Sequence, residues 1–146
     1  IVGLSVAALT GTGLLATPAA ASSSDSGSGY PRYQYEGKYP DRTPCNYTKK
    51  QQKSVTVGGR TVKLKYYYSG GCGSFARIDN APRSCRVRLD RTRTSSTRPP
   101  FDWVQETVDR GLSYAYTKVG SNLHNRKSRA ALMCGANIVK ARTSWY

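Results

Sequence analysis

The chain is poor in the residues that usually carry chemistry. It has one histidine, one methionine and only eight acids in 146 residues. No Cys-x-x-Cys pair occurs, and the lone histidine is His124. A zinc site would therefore have to gather dispersed ligands around a single imidazole. His124 stands among Asn122, Asn125, Arg126 and Lys127, with no acid or nucleophile beside it to complete an acid–base pair. An exported toxin or enzyme using His124 is thus a minor alternative. The expectation is a protein that is not an enzyme, with no cofactor and no metal. Past residue 21 there is no apolar run long enough to span a bilayer. No internal repeat and no known nucleic-acid motif occurs, so base-specific reading is not expected.

What is present begins with an uncharged, apolar start. Residues 1–21 carry no charge and run through Leu4, Val6, Leu9, Leu14 and Leu15 to small residues. Ala19 and Ala21 form an Ala-x-Ala exit. This is the pattern of a secretory signal peptide, here N-terminally truncated because the chain starts at Ile1 without the usual basic segment. Gly3, Gly11, Gly13 and Pro18 argue against a membrane anchor. The expected location is outside the cell, with no membrane insertion after cleavage. Residues 22–43 shift to Ser, Gly and Tyr with few aliphatics, the composition of a flexible arm. The folded domain is then expected over 44–146.

Charge is concentrated in that domain. The net charge is +15, and from Pro44 onward there are twenty bases against five acids. Such a surface attracts polyanions and repels its own copies, although it is silent about the fold.

Four cysteines, Cys45, Cys72, Cys85 and Cys134, in an exported chain of this size imply two disulfides. Three pairings are open. Cys45–Cys72 with Cys85–Cys134 is preferred, because the second bridge would tie a central strand to the C-terminal segment and close a long loop.

The domain reads as strands. Ser54–Val57, Gly58-Gly59 and Arg60–Tyr68 spell a β-hairpin, with Val62, Leu64 and Tyr66 facing one way and Thr61, Lys63 and Lys65 the other. Ser74–Ile78 is a short strand. Cys85, Val87 and Leu89 alternate with Arg86, Arg88 and Asp90 in another. Phe101, Val104 and Val108 have helical spacing with Gly111 as a stop, which favours a short helix over 101–110. Alternation of Phe101 and Trp103 would instead suit a strand. Trp103 is expected in the core. Leu112–Val119 reads as strand, and residues 130–146 as a closing hairpin around Gly135. The fold class is mainly β, a small antiparallel sandwich or barrel with one short helix.

The strand Val62-Lys-Leu-Lys-Tyr66, then Ser69, Cys72, Gly73 and Phe75-Ala-Arg-Ile78, carries a recognisable order of motifs. Tyr116-Thr117, Arg129-Ala130 and the terminal Thr143-Ser-Trp-Tyr146 continue it. Together they resemble the YjfA-like family of small secreted proteins of Gram-positive bacteria, over about residues 45–146. The resemblance implies export and a β-rich domain, and no established activity. The sequence departs from that pattern at Phe75, where Trp is usual, and in an opening reduced to Cys45. Arg142 stands where a cysteine is expected, which leaves Cys134 without that partner and able to recruit Cys85.

The sharpest functional expectation is a cationic stripe. Lys63 and Lys65 share one outer strand face, and Arg86 and Arg88 share another, extended by Arg91 and Arg93. Were these strands in one sheet, the six cations could hold an anionic polymer, teichoic acid or a nucleic acid backbone, with Tyr67 and Tyr47 stacking alongside. The runner-up is a protein-interaction module towards an extracellular protein, either a protease inhibitor presenting a disulfide-braced loop over 91–100 or an adaptor subunit of an extracellular assembly.

Overall fold

A computed structural model of the protein describes residues 34–146. The signal peptide expected at 1–21 and the start of the arm at 22–33 lie outside these residues. Alternation of apolar and polar side chains builds the first hairpin. Strand β1 (Thr48–Val57) turns through Gly58-Gly59 into β2 (Arg60–Ser69). Both glycines take positive φ, 58° and 75°, as a two-residue hairpin turn that follows strand twist requires. Val62, Leu64 and Tyr66 are fully buried on the inner face of β2. Strand β3 (Gly73–Asp79) follows, then β4 (Cys85–Thr92), β5 (Phe101–Thr107), the two-residue β6 (Ala115–Tyr116), β7 (Ser128–Cys134) and β8 (Ile138–Arg142).

The strands form two antiparallel sheets of four. Sheet A has the order β1-β2-β3-β6, and sheet B the order β5-β4-β7-β8. Their inner faces close on one core, in which Val62, Leu64, Tyr66 and Ile78 of sheet A meet Val87, Leu89, Ala130 and Leu132 of sheet B. Full burial of each large aliphatic contributes about 1.5–3 kcal/mol. The mainly β class with two disulfides is therefore observed, as a sandwich. The bridges are Cys45–Cys72, which pins the approach to β1 onto the β2–β3 turn, and Cys85–Cys134, which joins facing positions of β4 and β7. Two disulfides suit an oxidising compartment. Among the described residues no helix is long and apolar enough to cross a membrane.

A polar core network crosses between the sheets. The Tyr66 hydroxyl lies 2.6 Å from Ser128 Oγ, which lies 2.8 Å from Ser74 Oγ. Asn122 Nδ2 donates to Ser128 Oγ at 2.9 Å. Gly73, at φ 112°, allows the close approach of the 120 loop, since a Cβ there would collide with the Gly120 carbonyl oxygen.

Several expectations are corrected. Residues 101–107 form a strand, not a helix. Pro99-Pro100 just before them favours extended backbone, and β4 offers a complete ladder from Arg86↔Thr107 to Thr92↔Phe101. A single ladder-length segment is also too short to be a helix on propensity alone. Trp103 is not in the core but 47% exposed. Asp102 faces inward instead, and strand period two then turns Trp103 outward. The strand expected over 112–119 shrinks to Ala115–Tyr116. Beyond it, Val119 exchanges main-chain hydrogen bonds with Gly37 and Lys38 at 2.9 Å each. Residues 34–43, counted with the flexible arm on composition, thus lie against the domain, and Pro40–Arg42 makes a 3-10 turn.

Candidate functional site

The outer face of sheet A is laid out in cross-strand rows. Ser54, Lys63 and Asp79 form the first, Gln52, Lys65, Arg77 and Tyr116 the second, and Lys49, Tyr67 and Phe75 the third. Tyr67 stacks flat on Phe75 at a centroid distance of 4.7 Å, and Tyr47 meets Phe75 edge-on at 5.0 Å. The Arg77 guanidinium lies 4.9 Å from the Tyr114 ring centre and 5.8 Å from that of Tyr116. Asp79 is the carboxylate in these rows, accepting from Lys65 Nζ at 2.7 Å and from Arg77 Nε at 2.9 Å. Burial alone would raise the Asp79 pKa, but the hydrogen bonds from Arg77 and Lys65 outweigh it and hold it below the usual carboxylate value. Burial pushes the Tyr47 hydroxyl up. No carboxylate lies within ion-pair distance of Lys49 or Lys63 among the described residues.

The six cations of the expected stripe are not brought onto one face. Lys63 and Lys65 belong to sheet A, whereas Arg86, Arg88 and Arg91 belong to β4 in sheet B. Strand parity divides the second group again. Arg86 and Arg88 point outward, while Arg91 shares the inward parity of Leu89 and is 5% exposed. Each arginine is also engaged. Arg86 donates to the Gly135 carbonyl at 3.3 Å and to Asn137 Oδ1. Arg88 donates to Asp90 at 2.5 Å, and Arg91 is bound to Glu36. Arg93 reaches Asp102 at 3.0 Å, where Arg126 joins at 3.1 Å. Tyr67 and Tyr47, by contrast, do sit with Lys63 and Lys65.

Sheet B sets Phe101, Trp103 and Trp145 against the arginines of its outer face. Arg129 donates to Asp90 at 3.1 Å and lies 4.2 Å from the Trp145 ring centre and 5.4 Å from that of Phe101. Arg88 lies over Trp103 at 6.0 Å. Asp90 is 1% exposed beneath them.

Two further candidates change character. His124 is exposed at a loop apex with φ 58°, next to Asn125 at φ 60°, so it serves the turn geometry. The loop over 93–100 has no disulfide beside it. Cys85 opens β4, and the loop leaves from the other end of that strand.

Lys49, Arg77, Phe75 and Tyr116 were missed as members of the sheet A face. Alternation in Phe75-Ala-Arg-Ile78 would have placed Phe75 and Arg77 outside, opposite the buried Ala76 and Ile78. The cross-strand partners Lys49 and Tyr116 needed the register. No family model matches this chain, and neither a curated protein nor a solved structure matches it.

Proposed function

We propose that this is a secreted, non-catalytic binding protein, akin to the YjfA-like family. It holds an extracellular anionic polymer, such as teichoic acid or a nucleic acid backbone, on the outer face of sheet A. The observation that carries this reading is the imbalance of charge on the β1–β2 hairpin. Residues 48–69 contain Lys49, Lys50, Lys53, Arg60, Lys63 and Lys65, and no acid. On β4 and β7 of sheet B, Arg86, Arg88 and Arg129 are held by Asn137 and Asp90, which leaves Lys140 and Arg142 of β8 as its exposed cations. On sheet A, Lys49 pairs across the hairpin with Tyr67, and Lys65 and Lys63 follow Tyr67 along the same face of β2. Cations along a face that also carries the half-buried Tyr67 and Tyr47 rings suit a flexible phosphate polymer, because charge tracks the backbone while the rings provide sequence-tolerant contact.

The test is affinity for purified wall teichoic acid and for a single-stranded oligonucleotide at low and high salt. Lys49→Gln, Lys63→Gln and Lys65→Gln together should weaken binding, each lost phosphate contact flattening log K against log salt by about 0.7–0.9. Arg86→Gln with Arg88→Gln should leave it nearly unchanged. Equal loss from the sheet B pair, or binding that survives high salt, would sink the proposal. Recovery of one defined protein from culture fluid at both salt levels would replace it with the protein-interaction reading.

A further inference from the structure

Of the seven acids among the described residues, Glu36, Asp79, Asp90 and Asp102 are held by buried or half-buried arginines or lysines. The other three, Asp41, Glu106 and Asp109, come from the 3-10 turn, from β5 and from the segment after β5. They converge on one open cleft of about 290 Å³. Tyr39, Tyr114 and Tyr116 line the same cleft. Six large hydrophobic residues are notably exposed in the described chain, and three of them, Tyr39, Tyr114 and Leu112, lie here. Carboxylates and exposed rings thus gather at one concave place on a molecule of net charge +15.

The internal cations leave the cleft unbalanced. Arg42 also lines it, but its Nε is 3.9 Å from Asp41 with both side chains largely exposed, a weak pair. Lys118 lies over the Tyr39 ring at 5.5 Å, and Arg77 over Tyr114 at 4.9 Å; neither lines the cleft. Glu106 accepts a hydrogen bond from the Tyr39 hydroxyl at 2.8 Å. That bond, with burial adding to it, pushes the Tyr39 pKa up to about 12. Tyr39 and Tyr116 meet edge-on at 5.9 Å, and Tyr114 and Tyr116 are parallel at 6.3 Å, so the rings form a wall.

Ring faces attract a cation through their quadrupole, and adjacent carboxylates add Coulomb attraction that neutral ligands do not feel. We propose that this cleft binds an organic cation, an alkylammonium or guanidinium group, between the tyrosine wall and the Glu106 and Asp109 carboxylates. The site is separate from the sheet A hairpin and has the opposite charge preference. It stands or falls independently of polymer binding.

The experiment is a titration of the tyrosine ring resonances of the full chain. The probes are butylammonium chloride, N-acetyl-arginine amide and the neutral control 1-butanol. Saturable shifts at Tyr39 and Tyr114 with both cations, absent with 1-butanol and weakened by salt, are the expected result. Tighter binding of N-acetyl-arginine amide would point to a side chain of a protein partner as the source, and tighter binding of butylammonium to a free amine. Glu106→Gln with Asp109→Asn should weaken the cations by about tenfold or more. Leu112→Trp, which fills the cleft without touching a carboxylate, should do the same and serves if the double variant does not fold. Equal shifts with 1-butanol, unsaturable shifts, or retained affinity in Leu112→Trp would overturn the proposal.

Discussion

Arg77 on sheet A and Arg129 on sheet B are held in the same way. Each guanidinium donates to an aspartate and lies across two aromatic rings, Tyr114 and Tyr116 in one case and Phe101 and Trp145 in the other. Each neighbouring strand also closes on a threonine hydroxyl, Thr117 Oγ1 accepting from Ala76 N–H and Thr143 Oγ1 from Ala130 N–H. The burial differs. The Asp90 side chain is 1% exposed and that of Asp79 24%; the Arg129 side chain is 16% exposed and that of Arg77 34%. On sheet B the device covers a buried carboxylate, Asp90, which Arg88 and Arg129 share. On sheet A it leaves Lys49 and Lys63 facing solvent, with Tyr67 half-buried on the same face. A net charge therefore says little about binding until each cation has been set against the acid that holds it.

The largest way to break this comparison is to remove the buried acids. Asp102 is fully buried between Arg126, whose side chain is 1% exposed, and Arg93. Asp102→Ala would leave the Arg126 charge buried without that partner. A loss of about 3–5 kcal/mol is expected in denaturant unfolding. Asp79→Ala should cost about 1 kcal/mol or less, because its partners reach water. It should also tighten polyanion binding by removing the carboxylate from the sheet A rows. Equal costs for the two substitutions would erase the distinction between a fully buried acid of sheet B and the half-buried Asp79 of sheet A.

A smaller test exchanges the stacked arginines for methionine, which keeps much of the side-chain volume. Arg129→Met should cost about 2 kcal/mol, since the cation–ring contacts and a charge-assisted bond to a buried carboxylate are lost together. Arg77→Met should cost below about 1 kcal/mol, with Lys65 still holding Asp79. Thermal unfolding of the two variants side by side reads the difference. A greater loss from Arg77→Met would make sheet A the better-sealed face.

Much of the frame was legible because its signals are local. Gly58-Gly59 between alternating runs marked the hairpin, and the period-two pattern of Val62, Leu64 and Tyr66 gave its buried side. The bridge between Cys85 and Cys134, preferred among three pairings because it ties a central strand to the C-terminal segment across a long loop, is observed. What was not legible depended on partners far along the chain. Phe101, Val104 and Val108 fit a helix until the β4 ladder is known. Lys63 and Arg86 could be joined in one stripe only by knowing which sheet each strand enters. One missed signal was local after all. Arg77-x-Asp79 and Arg88-x-Asp90 place an acid and a base two apart on a strand, hence on the same face, where they neutralise each other. Extending the Arg86–Arg88 row to Arg91 and Arg93 broke that same parity.

The mildest test uses alkaline pH. Tyr39, Tyr47, Tyr66 and Tyr116 all have raised pKa values, and all belong to sheet A or its covering segment. No strand of sheet B contains a tyrosine. For Tyr66 burial is the main cause, partly offset by its hydrogen bonds to Ser128 and Ser74. For Tyr39 the cause is first the bond to Glu106. A tyrosine whose folded pKa exceeds its unfolded value of 10.0 gives stability that is fully present below that value and lost as pH rises through the folded pKa. For Tyr39 that window runs from 10.0 to about 12. Hydrogen exchange across this range should show the sheet A strands loosening while β4 and β7 keep their protection. Glu106→Gln should bring the Tyr39 titration, followed by ring carbon resonances, back towards the ordinary value and leave Tyr66 where it is. Simultaneous loss of protection in β2 and β4 would show instead that the sandwich opens as one unit, and that the difference between its faces does not extend to their stability.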